Sequence, residues 1–227
     1  MKVSFLIPAY NEGGTIAQVI GQLQALPFDK QVIVVDDGST DETPAILEAL
    51  AAEHENIVLL RQANQGKGAA LRAGIPRIEG DIVVIQDADL EYDPADVPGL
   101  IEPIAQGVAD VVYGSRLSGG RPQRAYLFWH MVGNRFLSLV AGVLYNTTLT
   151  DMETGYKAFR ADVLRGLELR ENSFGIEPEI TGRICRQRLR IYEVPIAYYG
   201  RTYAEGKKIT WRDGFKALWV LVRVRFS

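Results

Sequence analysis

Two aspartates separated by a single residue give the strongest chemical signal in the sequence. Asp87 and Asp89 directly follow the apolar run 81–86. Burying two like charges at the end of a strand is costly unless a cation compensates them. Carboxylate oxygens are ligands that Mg²⁺ and Mn²⁺ prefer, and such an ion can bridge the phosphates of a nucleoside diphosphate. The spacing predicts a metal and diphosphate site, although the pattern alone is also typical of a solvated turn.

A second acidic pair, Asp36 and Asp37, also follows an apolar run and precedes a Gly-Ser-Thr-Asp turn. Carboxylates at such a position can accept hydrogen bonds from base N–H groups or from ribose hydroxyls. Gly38 and Ser39 allow the chain to turn sharply away. A helix-capping turn, in which Asp41 takes part, is the alternative explanation.

Basic residues are concentrated in the second half of the chain. Arg116, Arg121 and Arg124 share one loop, and Arg201 and Lys207 lie in a second segment that contains glycines. Arginine binds phosphate bidentately, whereas lysine binds it as a point charge. These segments predict a site for anions, with an exposed basic loop as the alternative.

The elements that position these residues alternate regularly from residue 3 to residue 113. We predict strands over 3–8, 31–36, 56–61, 81–86 and 110–113, and helices over 13–25, 43–52, 67–77 and 93–106. Continuously apolar strands that alternate with helices are typical of an α/β fold with a mostly parallel sheet covered on both faces. Ligands of such sheets bind at the carboxyl ends of the strands, where both acidic pairs lie.

The regular alternation of predicted strands and helices ends after residue 113. We predict helices over 125–145, 176–188 and 211–226 and strands over 155–160 and 190–198. Because no segment has the composition of a linker, residues 1–227 are predicted to form one domain. Its first half, 1–113, carries the acidic pairs, and its second half, 114–227, is a C-terminal elaboration.

Five short motifs stand in an order that resembles the family-two inverting glycosyltransferases of the GT-A fold. They occupy residues 8–12 (Pro-Ala-Tyr-Asn-Glu), 35–41 (Val-Asp-Asp-Gly-Ser-Thr-Asp), 64–68 (Asn-Gln-Gly-Lys-Gly), 87–89 (Asp-Ala-Asp) and 114–116 (Gly-Ser-Arg). The most similar subgroup is the dolichol-phosphate mannosyltransferase type, with its polyprenyl-phosphate glucosyltransferase relatives. The resemblance implies a GT-A fold with a single Rossmann-like, mostly parallel sheet flanked by helices, and an acceptor-side elaboration at the C-terminus.

The resemblance also implies a role for each matching residue. The nucleotide-sugar would be bound by Pro8, Tyr10, Glu12, Asp37, Lys67, Asp87 and Lys207. A Mg²⁺ or Mn²⁺ ion would be held by Asp87, Asp89 and Glu91, the last of which is often a glutamine in this subgroup. The catalytic set would be Asp89, Arg116 and Arg201, with Arg116 meeting the acceptor phosphate and Arg201 closing over the diphosphate.

These roles predict inverting transfer of a hexose, from GDP-mannose or UDP-glucose, to a polyprenyl (dolichyl or undecaprenyl) phosphate. An anionic phosphate acceptor needs little help from a general base. One alternative is a family-two enzyme that acts on a sugar hydroxyl of a glycan or glycolipid, for which Glu177 or Glu179 would supply the base. Another is a nucleotide-sugar-binding module without turnover. For the lipid side, His130 or Arg135 could replace an arginine that the subgroup often has.

Charge distribution and the absence of certain motifs limit which other classes of protein the sequence could belong to. Residues 1–110 contain 6 lysines and arginines against 18 acidic residues, whereas residues 111–227 contain 19 against 10. This asymmetry favours a metal-holding half and an anion-holding half. The first strand lacks the Gly-X-Gly-X-X-Gly sequence of a nicotinamide site, and residues 66–68 lack the spacing of a P-loop. No nucleic-acid partner is predicted.

Location is predicted from cysteine content and hydropathy. The single cysteine fits a reducing, cytoplasmic setting, and no run approaches the roughly 18 apolar residues of a membrane span. Aromatic and basic residues alternate over 211–226, which suits an anionic membrane surface, with packing on the core as the alternative. We therefore predict a cytoplasmic protein, peripheral at the cytoplasmic face of the membrane or held there by an anchoring subunit.

Overall fold

Seven strands form one mixed sheet in the computed structural model, which describes residues 1–124, 128–200 and 211–227. The strands are β1 (Val3–Ala9), β2 (Lys30–Asp36), β3 (Ile57–Arg61), β4 (Ile82–Ile85), β5 (Val111–Ser115), β6 (Lys157–Arg160) and β7 (Ile191–Pro195). Their order is β3-β2-β1-β4-β6-β5-β7. Only β6 is antiparallel to its neighbours β4 and β5, and the other pairings of the sheet are parallel.

Helices cover both faces of this sheet. They are α1 (Ile16–Gln24), α2 (Thr43–Glu53), α3 (Lys67–Gly74), α4 (Val97–Ala105), α5 (Phe128–Tyr145), α6 (Ala161–Arg165), α7 (Ile176–Arg186) and α8 (Trp211–Phe226). Short 3₁₀ helices at Ile75–Arg77 and Pro94–Asp96 extend α3 and precede α4. In α1 the buried side chains recur at helical spacing, so one stripe of the helix faces the sheet: Ile16, Val19, Ile20 and Leu23.

The core lies on the two faces of the sheet and between two late helices. One cluster joins β1, β2 and β4 to α1 and α4, and a second joins the opposite face to α3, α6 and α7. A third cluster lies between α5 and α8, where Leu137, Ala141, Ala217 and Leu221 are buried together with Met152. The third cluster ties the C-terminal helix to the rest of the chain.

The prediction of a mostly parallel α/β sheet is confirmed, and two helices differ from the prediction. The helix predicted over 67–77 changes to a 3₁₀ turn after Gly74, and α6 was not predicted. At α2 the N-cap position is Glu42, and the carboxylate of Asp41 accepts a hydrogen bond from the backbone N of Thr43. The position of β6 between β4 and β5 in the sheet could not be predicted from the order of the elements along the sequence.

Over the residues that the structure describes, every helix is too short or too polar to cross a bilayer.

Candidate active site

A cavity of about 1060 Å³ opens at the carboxyl ends of β1, β2 and β4. Parallel strands end at the same edge of a sheet, so residues far apart in sequence meet there. The cavity is lined by these predicted site residues: Pro8, Tyr10, Glu12, Asp37, Lys67, Asp87, Asp89, Glu91 and Arg116. Arg201 and Lys207, predicted to close over the site, lie outside the described residues.

The carboxylate of Asp37 holds the loop that leads into α3. Its Oδ1 accepts hydrogen bonds from Gln62 Nε2 at 2.7 Å and from the backbone N of Gln65 at 3.0 Å, and its Oδ2 accepts one from the backbone N of Gly66 at 2.7 Å. Gly66 has a φ of 100°, and a Cβ there would lie 2.6 Å from the carbonyl oxygen of Asn172. Asp37 therefore shapes the loop at the cavity, and its contact with a nucleoside remains a prediction.

Four side chains of alternating charge lie in a row beside the cavity, with Asp87 and Lys67 partly exposed and Glu177 and Lys157 buried. Lys67 Nζ lies 2.7 Å from Asp87 Oδ1 and 3.1 Å from Glu177 Oε1. The fully buried Lys157 donates to the other oxygen of Glu177 and to the carbonyl of Thr154. Sequence spacing gave no sign of this arrangement, because these residues come from α3, the loop after β4, β6 and α7.

The two lysines and two carboxylates of this row stabilise one another's charged forms. Burial disfavours the ammonium of Lys67, but the carboxylates of Asp87 and Glu177 outweigh it and raise its pKa. Burial likewise disfavours an ionised Glu177, and the adjacent Lys157 and Lys67 outweigh it and lower its pKa. Glu177 is therefore a permanently paired carboxylate near neutral pH, which makes it a poor general base.

The second predicted base, Glu179, is also engaged. It is fully buried, and its Oε2 accepts hydrogen bonds from the backbone N of Arg170 at 2.8 Å and of Glu171 at 2.7 Å. Glu179 does not line the cavity. Both predictions of a general base on α7 are thus unsupported by the contacts of these side chains.

Three acidic side chains after β4 occupy different positions in the cavity. The Asp87 carboxylate contacts Lys67, and Asp89 Oδ1 accepts a hydrogen bond from the backbone N of Glu91 at 3.1 Å. The Glu91 carboxylate accepts one from the hydroxyl of Tyr198 at 2.8 Å. The part of the chain that the structure describes contains no group of three acidic, histidine or cysteine side chains placed to hold a metal.

This donor set nevertheless fits Mg²⁺ or Mn²⁺ at Asp87 and Asp89. Mg²⁺ is usually held by one or two carboxylates together with substrate phosphates and water, rather than by a site made of protein ligands alone. The two aspartates supply hard oxygen atoms on one side of a cavity large enough for a diphosphate. The predicted third ligand, Glu91, is instead tied to Tyr198, and its metal role stays a prediction.

Arg116 is fixed by Asp151, a partner that the sequence did not reveal. Its Nε and Nη2 donate to the two oxygens of the fully buried Asp151, each at 2.7 Å, and its backbone N donates to the same carboxylate at 2.9 Å. The guanidinium also lies 5.1 Å from the centre of the Tyr198 ring. These contacts fix one edge of the guanidinium. Arg116 lines the cavity, and the N–H groups that do not contact Asp151 could bind a phosphate there.

The loop before β6 contributes further residues to the cavity. Glu153 and Gly155 line the cavity, and the backbone N of Gly155 donates to the hydroxyl of Tyr92 at 2.9 Å. The motif Asp-Met-Glu-Thr-Gly at 151–155 also matches the lipid-phosphate subgroup, which implies that Thr154 and Gly155 shape the acceptor side; that role stays a prediction.

The part of the cavity formed by α5 and α8 is largely apolar, with Asn134 and Asp213 among its polar exceptions. Its lining residues there are Trp129, Phe136, Leu137, Phe215 and Leu218. His130 also lines the cavity, whereas Arg135, the other residue considered for the lipid side, does not. One cavity thus joins charged groups at the sheet edge to a largely apolar wall formed by two helices.

Comparison with known proteins yields one family and several relatives. The family model described as glycosyl transferase family 2 matches residues 4–167. The undecaprenyl-phosphate mannosyltransferase of Micrococcus luteus is 34% identical over 220 residues, which cover 91% of this chain and 87% of that protein. The dolichol-phosphate mannosyltransferase of Pyrococcus furiosus is 30% identical over 213 residues, and the match spans only 59% of that longer protein.

A solved structure has the same fold. Glucosyl-3-phosphoglycerate synthase from Mycobacterium tuberculosis, in complex with Mn²⁺, UDP and glucosyl-3-phosphoglycerate, superposes with a TM-score of 0.75 at 23% identity. The match covers 98% of this chain and 79% of that chain. At this identity the likeness establishes the fold, GT-A, and nothing about the substrates of this chain.

Proposed function

Since the chain belongs to glycosyl transferase family 2, we propose that it transfers a hexose from a nucleoside diphosphate-sugar to a polyprenyl phosphate, with inversion at the anomeric carbon. The observation that carries this proposal is the two-part character of the cavity. Its part at the sheet edge presents charged groups to phosphates, and its part formed by α5 and α8 presents mainly aromatic and aliphatic side chains. A polyprenyl phosphate combines those two chemistries in one acceptor.

The donor side of the proposal rests on residues 1–113. The nucleoside would lie along Pro8, Tyr10, Glu12 and Asp37, with the diphosphate near Asp87 and Asp89. When bound there, a Mg²⁺ or Mn²⁺ ion would neutralise the charge that develops on the departing diphosphate. Support comes from the M. tuberculosis structures, which contain UDP with Mn²⁺ or with Mg²⁺.

The acceptor side rests on residues 114–227. Arg116, oriented by Asp151, would bind the acceptor phosphate through its remaining N–H groups. The named activities of the M. luteus and P. furiosus relatives support a polyprenyl phosphate as acceptor. The proposal includes both GDP-mannose and UDP-glucose as candidate donors.

The reaction would be a single displacement. An oxygen of the acceptor phosphate forms the new bond to the anomeric carbon, while the bond from that carbon to the diphosphate breaks on the opposite face. The attacking oxygen is already anionic, so no proton needs to be removed. The protein would contribute mainly by positioning the two substrates and by placing cationic side chains near the charges that develop.

The experiment that tests this function measures transfer of radiolabelled hexose. Purified protein is incubated with labelled GDP-mannose or UDP-glucose and Mn²⁺, with and without undecaprenyl or dolichyl phosphate. We expect label in the lipid extract only when polyprenyl phosphate is present. Release of free hexose with no lipid product, for both donors, would contradict the proposal.

A second candidate function, transfer to a sugar hydroxyl, is favoured by one observation. Such a reaction needs a general base, and burial beside Glu177 raises the pKa of Glu153 in the cavity to about 7. The same assay with glycan acceptors in place of lipid phosphate separates the two functions. A binding module without turnover would give no product with either acceptor.

Replacing Gly155 by Ala is expected to reduce transfer roughly tenfold, because it displaces Asp87 by a fraction of an ångström. A Cβ at this position would lie 2.6 Å from Asp87 Oδ2 and 3.0 Å from Lys67 Nζ. Both are ends of side chains, so the protein should still fold. The measurement is kcat/KM for transfer, with the unfolding temperature recorded for each variant.

Gly99→Ala is the matched control for this prediction. A Cβ at Gly99 meets no atom within 4 Å, so this variant should keep normal transfer. Equal rates for Gly155→Ala and Gly99→Ala would show that the contact with Asp87 is not needed for activity.

We also propose that the paired helices α5 and α8 contact an anionic membrane surface, which would bring the largely apolar wall of the cavity to its lipid substrate. The two helices expose large apolar side chains that the core does not cover: Trp129, Leu139, Val143, Phe215, Trp219 and Phe226. The exposed Arg225 lies 5.9 Å from the centre of the Phe226 ring, so a basic group accompanies the apolar surface. Such pairs suit an interface rich in anionic lipid.

Trp219→Ser is expected to weaken binding to vesicles that contain phosphatidylglycerol roughly tenfold, because one large apolar side chain no longer enters the interface. Trp219 is 59% exposed, so its loss should not disturb the core. The measurement is co-sedimentation with vesicles. Tyr192→Ser, which removes an exposed aromatic residue on β7, is the control and should bind like the unaltered protein. Equal binding by both variants would contradict membrane contact through α8.

A further inference from the structure

We propose that Glu153 is a binding residue for a hydroxyl group of the transferred hexose and thereby helps to select the donor sugar. The inference rests on the proposed function and adds a sugar contact within the same cavity.

The position of Glu153 places it beside the path of the hexose. It lies in the loop before β6 and lines the cavity. Arg116 and Glu177 are both among its electrostatic neighbours. Arg116 belongs to the proposed acceptor side, whereas Glu177 is joined through Lys67 to Asp87 on the donor side. A hexose that passes from diphosphate to acceptor phosphate must lie between these two groups.

Glu153 also has an unsatisfied oxygen atom. Its Oε1 is buried and has no hydrogen-bond partner among residues 1–124, 128–200 and 211–227. Asp151 differs in this respect, because Arg116 binds it bidentately. Glu177 Oε1 also lacks a hydrogen bond, but it lies 3.1 Å from the ammonium of Lys67, whereas no described lysine or arginine forms an ion pair with Glu153. Buried polar atoms without partners are costly and are uncommon in folded proteins. A ligand that donates a hydrogen bond would remove this cost.

The chemistry of the site favours a hydroxyl as that ligand. A phosphate oxygen carries negative charge and would repel an ionised carboxylate, so phosphate is a poor partner for Glu153. A sugar hydroxyl can donate to the carboxylate and can accept from the protonated carboxyl group. It therefore satisfies Glu153 in both forms, which matters because its pKa is raised to about 7.

The test compares binding of a nucleoside diphosphate with binding of its sugar derivative, in the absence of acceptor. Isothermal titration with Mn²⁺ is carried out for GDP against GDP-mannose and for UDP against UDP-glucose. For the pair that the unaltered protein binds, Glu153→Ala should raise the Kd of the sugar nucleotide about tenfold. The Kd of the diphosphate alone should stay within about twofold, because Glu153 is not proposed to contact it.

Two further variants keep the result interpretable. Glu153→Gln preserves the side-chain shape and is expected to raise the Kd of the sugar nucleotide by a smaller factor than Glu153→Ala. This variant replaces the alanine variant in the test if the alanine variant does not fold. Glu168→Ala removes an exposed glutamate, 77% accessible and outside the cavity, and should change neither Kd.

Different failures have different meanings. If Glu153→Ala leaves the Kd of the sugar nucleotide unchanged, or weakens diphosphate and sugar nucleotide equally, the inference is wrong while the proposed donor site stands. An unchanged sugar-nucleotide Kd combined with lost transfer would assign Glu153 to catalysis instead. If the unaltered protein binds neither pair, the proposed function and this inference fall together.

Discussion

Replacing Asp89 by Ala is expected to reduce hexose transfer roughly 10³-fold, because several kcal/mol of charge stabilisation at the departing diphosphate would be lost. Asp89 follows β4 and lines the cavity, and the residue is 9% exposed. Alanine removes one of the two oxygen donors proposed to hold the metal. The measurement is kcat/KM for transfer at saturating Mn²⁺, together with the Kd of the nucleoside diphosphate in the presence of Mn²⁺.

The matched control for Asp89 is Asp81, an acidic residue at the opposite end of the same strand. Asp81 accepts a hydrogen bond from the backbone N of Lys2 at 2.9 Å and does not line the cavity. Asp81→Ala should lower stability slightly and leave transfer intact. An Asp89→Ala protein that keeps more than about a tenth of the activity would contradict the metal site proposed here.

Replacing Arg116 by Lys is expected to raise the KM for polyprenyl phosphate roughly 10²-fold, because a lysine is a single point charge and cannot replace a guanidinium fork. Arg116 uses two N–H groups on Asp151, and its other N–H groups are available to an acceptor phosphate. Lysine retains a positive charge beside the buried Asp151, so the protein should fold. The Kd of the donor should not change.

Steady-state kinetics with acceptor varied at fixed donor measure this effect. Arg170→Lys is the control, because Arg170 is 73% exposed and lies outside the cavity. A fall in kcat with an unchanged KM for the acceptor would mean that Arg116 acts on the leaving diphosphate or on protein geometry, and would contradict its assignment to the acceptor phosphate.

The parallel part of the fold was predictable because its signals are local. Each of the first four strands is a short apolar run, and each is followed by a segment with helical spacing or a helix-start residue. The position of β6 was not predictable in this way. It pairs in antiparallel fashion with β4 and β5, and this pairing is set by contacts between residues more than 40 positions apart.

The site residues likewise fall into those that local sequence signals could place and those that they could not. Residues that follow a strand directly, such as Asp87, Asp89 and Arg116, could be placed in one cavity from sequence order alone. The partners that fix their side chains could not, because Glu177 and Asp151 come from the second half of the chain. Sequence reasoning treated Glu177 as a candidate base, whereas its two lysine neighbours hold it as a paired carboxylate.

The central claim is that Asp87 and Asp89 hold a divalent cation against the diphosphate of a sugar nucleotide. Its most direct test is a crystal soaked with Mn²⁺ and a nucleoside diphosphate, with data collected at the manganese absorption edge. We expect one anomalous peak in contact with the carboxylates of Asp87 or Asp89 and with the diphosphate. A bound nucleotide whose diphosphate and metal lie away from both aspartates would contradict the account.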